Sequence, residues 1–217
     1  MRSSRRQRAR PSPATTWDRL ARLYDLQLWL ERPALDRAAA LADVASGERL
    51  LDVATGTGAL LRRLADRPVR PAEAVGVDAS PAMLARARPL PGGWDLAEAD
   101  ARALPFADAT FDAVTAAYLL HTLDPPARGA VLAECRRVLR PDGRLVTVTV
   151  SQPRSRMGAW LARPIIWLAR HSSGTLAGLR PLDPRPEIEA AGFTVERAVA
   201  VGGAAYPSLC VLARVAP

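Results

Sequence analysis

Residues 50–65, LLDVATGTGALLRRLA, decide how this chain folds. Leu50, Leu51 and Val53 form a short apolar run, Ala54-Thr55-Gly56-Thr57-Gly58 turns, and Leu60, Leu61 and Leu64 recur at helical spacing. The pattern reads as strand, tight turn and helix. Gly56 and Gly58 let the backbone bend sharply and leave room for a ligand against it, and the start of the new helix offers unpaired N–H groups. Such a corner suits a nucleotide-like ligand; the alternative is a tight turn with no ligand.

Working outward, Ala72–Asp78 (AEAVGVD) reads as a second strand ending in a carboxylate, and Ser80-Pro81 caps and opens a helix through about Arg88. Asp78 falls about 20 residues beyond the glycine turn, where a parallel sheet sets it beside the first strand and a carboxylate can accept from both ribose hydroxyls. It could equally cap the helix that follows. Trp94–Ala99 is a third strand, with Asp100 at the same edge, placed either to accept from an exocyclic amine or to cap its loop. Ala113–Ala117 is a fourth strand. Pro125 or Pro126 opens an amphipathic helix carrying Val131, Leu132, Cys135, Val138 and Leu139, and Arg140-Pro141-Asp142-Gly143 turns it into a fifth strand, Arg144–Val150.

Five strands alternating with helices predict a doubly wound parallel α/β sheet, with ligands at the carboxyl ends of the strands. A helix at Arg185–Ala191, stopped by Gly192, precedes Phe193–Val201 and Ser208–Arg214, an antiparallel hairpin around Gly202-Gly203 and Pro207. The expected sheet is therefore seven-stranded and mostly parallel, with one antiparallel strand and helices on both faces. Ahead of it, Thr16 caps one helix (Trp17, Leu20, Leu23, Tyr24) and Pro33 opens another through about Val44. Residues 1–13 are expected to be a disordered basic tail and 14–217 a single domain, with 14–46 as cap helices and 151–182 as an insertion.

The net charge is +8, all thirty basic residues are arginine, and Arg2, Arg5, Arg6, Arg8 and Arg10 carry five of those charges with no nearby acid. The body is thus only weakly basic, which disfavours nucleic acid as a partner. No apolar run follows Arg5-Arg6, and no apolar stretch approaches the roughly 20 residues of a membrane span, so a cytoplasmic protein is expected. Cys135 and Cys210 lie far apart in apolar segments and read as buried thiols; with two histidines, a metal site is not expected. Within 151–182, Arg156, Arg163 and Arg170 are seven apart, as are Trp160 and Trp167, interrupted by Pro164. That stretch is either a lid on the domain or a peripheral membrane contact.

These residues resemble the class I S-adenosylmethionine-dependent methyltransferases. Within that family the likeness is to the UbiE-like (methyltransferase type 11) group, typified by the ubiquinone/menaquinone C-methyltransferases. LLDVATGTG is similar to the family's first motif, VGVDASPAML to its second, AEADARALPFADATFDAV to the adenine-binding segment, and LLHTLDPPARGAVLAECRRVLRPDGRLV to the block that follows. The resemblance implies a Rossmann-like fold, S-adenosylmethionine as cofactor, and a small, lipidic or aromatic methyl acceptor. It implies that Asp52, Ala54, Gly56 and Gly58 floor the cofactor's amino-acid portion and that Asp78 and Ala79 hold its ribose. It further implies that Met83, Asp100 and Ala101 meet the adenine, and that Ala117 and Tyr118 lie near the sulfonium. His121, Tyr118 and Tyr24 are the candidates for proton transfer or for shaping the acceptor site. The family often carries glycine where this chain has Ala54.

Three other readings are weaker. Ala54-x-Gly56-x-x-Ala59 with Asp78 echoes a nicotinamide-dehydrogenase fingerprint, but that pattern gives no role to Asp52, Asp100 or residues 104–112. Asp124-Pro125-Pro126 echoes a nucleic-acid amine methyltransferase, but Ala127 replaces its aromatic residue. A non-catalytic cofactor- or membrane-binding protein would keep the cofactor set without turnover.

Overall fold

The strand, turn and helix read at 50–65 stand at the centre of a seven-stranded sheet. The computed structural model describes residues 24–152, 180–202 and 206–216. In chain order the elements are α1 (Tyr24–Ala42), β1 (Arg49–Val53), α2 (Ala59–Ala65), β2 (Glu73–Asp78), α3 (Pro81–Ala87), β3 (Trp94–Glu98) and β4 (Phe111–Ala117). A 3-10 turn (Leu120–Thr122), α4 (Pro125–Val138), β5 (Leu139–Val150), α5 (Arg185–Ala190), β6 (Phe193–Val201) and β7 (Ser208–Val215) follow.

The sheet order is β3-β2-β1-β4-β5-β7-β6. The pairs among β1 to β5 are parallel, and β7 alone runs against its neighbours β5 and β6. Alternation along the strands divides the core into two layers. Leu50, Val146, Val148 and Cys210 join α1 and α2 on one face. Leu51, Val53, Leu145 and Val211 join α4 and α5 on the other. The predicted seven-stranded sheet with one antiparallel strand and helices on both faces is the observed one, and Cys135 and Cys210 are buried free thiols.

The structure corrects the sequence reading in two places. Pro33 does not open a second helix but lies inside the single helix α1. An internal proline loses one backbone hydrogen bond and costs about 3 kcal/mol, which burial of Ala34, Leu35, Ala38, Ala39, Leu41 and Ala42 against the sheet offsets. Nor do residues 140–143 precede the fifth strand as a turn. Leu139 is buried and already pairs with Phe111, and Arg144 pairs with Ala113, so 140–143 bulge out of β5 with Asp142 at φ 63°.

Arg144 fastens the far end of α1 to the sheet. It is 7% exposed, its Nε donates to the Ala42 carbonyl, Nη2 to the Asp43 carbonyl at 3.0 Å, and Nη1 to Glu48 Oε1 at 2.9 Å. The last carbonyls of a helix have no partner within it, so a cation supplied by a neighbouring strand closes this end. Residues 1–13, Trp17, Leu20, Leu23 and most of the 151–182 insertion, including both its stripes, lie outside the described residues. Among the described residues no helix is long and apolar enough to cross a membrane.

Candidate cofactor and acceptor site

The sheet order reverses direction between β1 and β4, and there the connections leaving the two strands diverge and open a crevice. A narrow cleft occupies it, with Asp52, Thr55, Thr57, Ala117, Tyr118 and Glu31 among its lining. Its floor is the glycine corner. Gly56 has φ 56° and Gly58 φ 75°, both in the left-handed region. A Cβ at Gly56 would meet nothing within 4 Å, so space lies open over the loop, whereas Gly58 packs directly on Ala87 of α3. One glycine leaves open space over the loop and the other serves packing.

Ala54 takes φ 56° without glycine's freedom. The left-handed region costs an alanine about 1–2 kcal/mol, which accounts for the glycine common in the family at this point. Ala54→Gly is expected to raise the melting temperature by about 2–4 °C, a gain of up to about 1 kcal/mol after glycine's extra unfolded entropy. Calorimetric scanning showing no rise would mean that the loop stores no such strain.

Asp52 shapes the corner from beneath. It is 1% exposed and accepts from Thr55 Oγ1 at 2.7 Å and Thr115 Oγ1 at 2.6 Å. Burial pushes its carboxyl up to about 6 despite both hydroxyl donors. Asp78 reaches over from β2: Gly56 N–H donates to its Oδ2 and Ser80 N–H to its Oδ1, each at 2.9 Å. Asp78 therefore does not cap the next helix by its side chain; Ser80 does that, its Oγ accepting from Met83 N–H at 3.3 Å. Ala79 is exposed at the rim beside Asp78, and Met83 is buried.

Asp100 lies at the same edge, exposed, with Arg102 donating to it through both backbone N–H and guanidinium. That guanidinium holds the carboxyl below the ordinary carboxylate range. Ala101 is half-buried against the α4 face. The loop carrying both is tied to α4 by Arg137, which donates to the carbonyls of Leu104 (3.0 Å) and Phe106 (2.7 Å).

On the opposite wall, Ala117 ends β4 and Tyr118 follows at φ 57°, its N–H donating to the Val148 carbonyl at 2.7 Å. The Tyr118 hydroxyl shares a 2.9 Å hydrogen bond with Ser208 Oγ. His121, in the 3-10 turn, is 5% exposed and packs edge-on against the Tyr118 ring, centroids 6.0 Å apart. The predicted residues Asp52, Ala54, Ala117 and Tyr118 thus share one cleft, with Gly56, Gly58 and Asp78 on its loop side. Tyr24 opens α1, and its side chain lies outside the described atoms.

Sequence reasoning missed Glu31, Thr57, Thr115, Tyr206 and Ser208. Thr115 had a visible signal, a hydroxyl inside an apolar strand. Glu31 is 1% exposed on the cleft side of α1, and the Tyr206 hydroxyl donates to its Oε1 at 3.4 Å. Thr57 Oγ1 is buried beside the cleft with no hydrogen-bond partner among the described residues. Orphaned buried hydroxyls are uncommon, and one facing a cleft suits a ligand that completes it. The open space over Gly56, the Thr57 hydroxyl and the Asp78 carboxylate at the corner together fit a nucleoside cofactor with a polar amino-acid end.

This sheet order, with a glycine corner after β1, an acid after β2 and a reversed β7, defines the Rossmann-like class of methyltransferases. Residues 50–143 match the family model described as a methyltransferase domain. The chain is 40% identical over 150 residues to a demethylmenaquinone methyltransferase of Beutenbergia cavernae, covering 64% of this chain and 58% of that protein. It is 38% identical over 179 residues to the demethylmenaquinone methyltransferase of Thermus thermophilus, covering 73% and 80% respectively. This chain thus spans less than two thirds of the first relative's length and four fifths of the second's. Among solved structures, an S-adenosylmethionine-dependent methyltransferase from Aquifex aeolicus superposes with a TM-score of 0.67 at 19% identity, over 91% of this chain and 98% of that one. The chain belongs to the class I S-adenosylmethionine-dependent methyltransferases, in the group of the ubiquinone/menaquinone biosynthesis C-methyltransferases.

Proposed function

We propose that this protein transfers the methyl group of S-adenosylmethionine to a lipidic, quinone-like aromatic acceptor by in-line displacement. The observation that carries this reading is the span of the Thermus thermophilus relative, a demethylmenaquinone methyltransferase, of which the chain covers 80%. When bound, S-adenosylmethionine supplies an electrophilic methyl on a sulfonium. What the protein adds is alignment and exclusion of water. Asp78 anchors the ribose, Asp100 and Ala101 read the adenine beside Met83, and the loop from Ala54 to Gly58 supports the amino-acid end. Ala117 and Tyr118 stand where the methyl is passed on. A lipidic acceptor must be drawn from a bilayer, and the arginine and tryptophan spacing of 151–182 supports a peripheral contact there.

The test is calorimetric titration with S-adenosylmethionine and S-adenosylhomocysteine, followed by labelled-methyl transfer to a chemically reduced short-chain 1,4-naphthoquinone. Micromolar binding with transfer supports the reading. Folded protein that binds neither compound would sink it.

The burial of Asp52 adds a pH dependence. Its carboxyl titrates near 6 in the folded protein, above its unfolded value, so its ionised form is the costly one and is complete only above that pH. A cofactor with a cationic amino-acid end favours the ionised form. Affinity is therefore expected to be flat above about pH 7 and to weaken as pH falls through 6, by as much as about tenfold per unit. Asp52→Asn should flatten that profile, and an unchanged slope in the variant would remove Asp52 as its source.

A further inference from the structure

Helices α1 and α2 lie side by side on one face of the sheet, and a 2.7 Å ion pair between Asp36 and Arg63 joins their outer surfaces. The buried stripe of α1 leaves Trp29, Arg32, Asp36 and Arg37 outward; α2 leaves Arg62 outward, and Arg70 is exposed in the connection to β2. The acids of the two helices and that connection are Glu31, buried on the cleft side, Asp36, already held by Arg63, and Asp66. Arg32, Arg37, Arg62 and Arg70 meet no carboxylate among the described residues. The opposite helix layer differs: Arg128 is bound to Glu187 at 2.6 Å, Arg137 to Glu134 and Asp108, and Arg185 to Asp183. Charges paired in that way present little net field, whereas unpaired arginines gathered on one layer present a positive one. The positive layer also holds Trp29, 62% exposed, and Val69, 52% exposed, the large apolar side chains left open to solvent among the described residues.

We propose that the outer surface of α1 and α2 is a docking surface for an anionic lipid bilayer, with Trp29 as its interfacial anchor. Charge complementarity selects the occupant: unpaired guanidinium groups meet lipid phosphates, while their apolar stems and the Trp29 ring rest in the boundary between headgroups and acyl chains. The indole N–H stays among the polar headgroups. Nucleic acid suits the surface less well. A duplex takes an element that enters its groove, and a single strand takes a channel with successive aromatic rings. One tryptophan among spaced arginines, on helices laid along a sheet, supplies neither. The place of Trp29 sets the orientation. It stands two residues before Glu31, which lines the cleft, whereas Ala42 at the other end of α1 is fastened by Arg144 near the far edge of the sheet. Docking through Trp29 thus brings the cleft's rim of the sheet towards the lipid. The surface is built from α1 and α2, and it requires neither cofactor nor methyl acceptor, so it stands apart from the methyl-transfer reading.

The test is co-sedimentation of the full chain, without cofactor, with vesicles of phosphatidylglycerol and with vesicles of phosphatidylcholine. Wild type is expected to bind the first and not the second, and to be released as salt approaches about 1 M, where charges are screened within about 3 Å. Each arginine near an anionic surface contributes about fivefold in affinity, so the double variant Arg32→Gln with Arg62→Gln should bind about twenty-five-fold more weakly. Trp29→Ser should lose about tenfold and reduce the shift of tryptophan emission to shorter wavelength that wild type shows on binding. All three side chains are exposed, so both proteins should melt as wild type does. Replacing Arg2, Arg5, Arg6, Arg8 and Arg10 by glutamine in the full chain should leave most of the binding in place. Binding lost in that protein but kept in the Arg32 and Arg62 variant would move the contact to the first residues of the chain and overturn the surface. Wild type that binds a DNA duplex more tightly than phosphatidylglycerol at equal salt would replace the bilayer by nucleic acid. Wild type that binds S-adenosylmethionine but neither kind of vesicle would remove the docking surface and leave the methyl-transfer reading standing.

Discussion

Replacing Asp78 by alanine is expected to weaken S-adenosylmethionine binding at least about a hundredfold. Hydrogen bonds to a charged group are worth about 1.5–3 kcal/mol each, and two ribose hydroxyls on one carboxylate put the combined loss near 3 kcal/mol, or two decades in Kd. The same carboxylate accepts from Gly56 and Ser80 in the free protein, at 2.9 Å each. Its removal therefore also loosens the glycine corner, and folding stability should fall by about 1–2 kcal/mol. Asp78→Asn retains one acceptor oxygen and should fall between, near tenfold. Calorimetric titration separates the cases. An alanine variant that keeps wild-type affinity would place the ribose elsewhere.

The second large effect concerns stability rather than binding. Arg144→Met should cost about 2–3 kcal/mol. It strands the Ala42 and Asp43 carbonyls at the end of α1 and leaves Glu48 without its partner. Breaking a fully buried pair costs about 3–5 kcal/mol; Glu48 is 25% exposed, which places this pair below that range. At this chain length the melting temperature should drop by about 5–10 °C. The Arg144 guanidinium holds the Glu48 carboxyl below its ordinary value. Its contribution is thus complete above the unfolded carboxylate value and is lost as pH falls through the lower folded one. The acid side of the stability profile should accordingly be shallower in the variant. A methionine variant as stable as wild type at pH 7 would show that α1 is held by its apolar face alone.

Much of the sheet was legible because its signals are local. The apolar runs, the Gly56-x-Gly58 turn, Ser80-Pro81 and the acid ending β2 each sit within a few residues of what they specify, and the reversed β7 followed from the closing hairpin. Pro33 was misread because propensity is local, whereas burial of the α1 face is decided by strands far along the chain. The contacts of Glu31 and Tyr118 with the start of β7 were illegible for the same reason in sharper form. Glu31 and Tyr206 are 175 residues apart, Tyr118 and Ser208 90 apart. No periodicity links such residues, and only the closed sheet brings them together.

The reversal of β7 has a geometric consequence for the rim of the sheet. Ser208 pairs with Val150 and with Val201, the last residues of β5 and β6, so β7 begins where its neighbours end. A parallel seventh strand would begin at the opposite edge, about 25 Å away at the rise of an eight-residue strand. Tyr206 and Ser208 would then be delivered to the far side of the molecule. One inverted strand in an otherwise uniform sheet thus returns the chain to the cleft's rim of the sheet a final time.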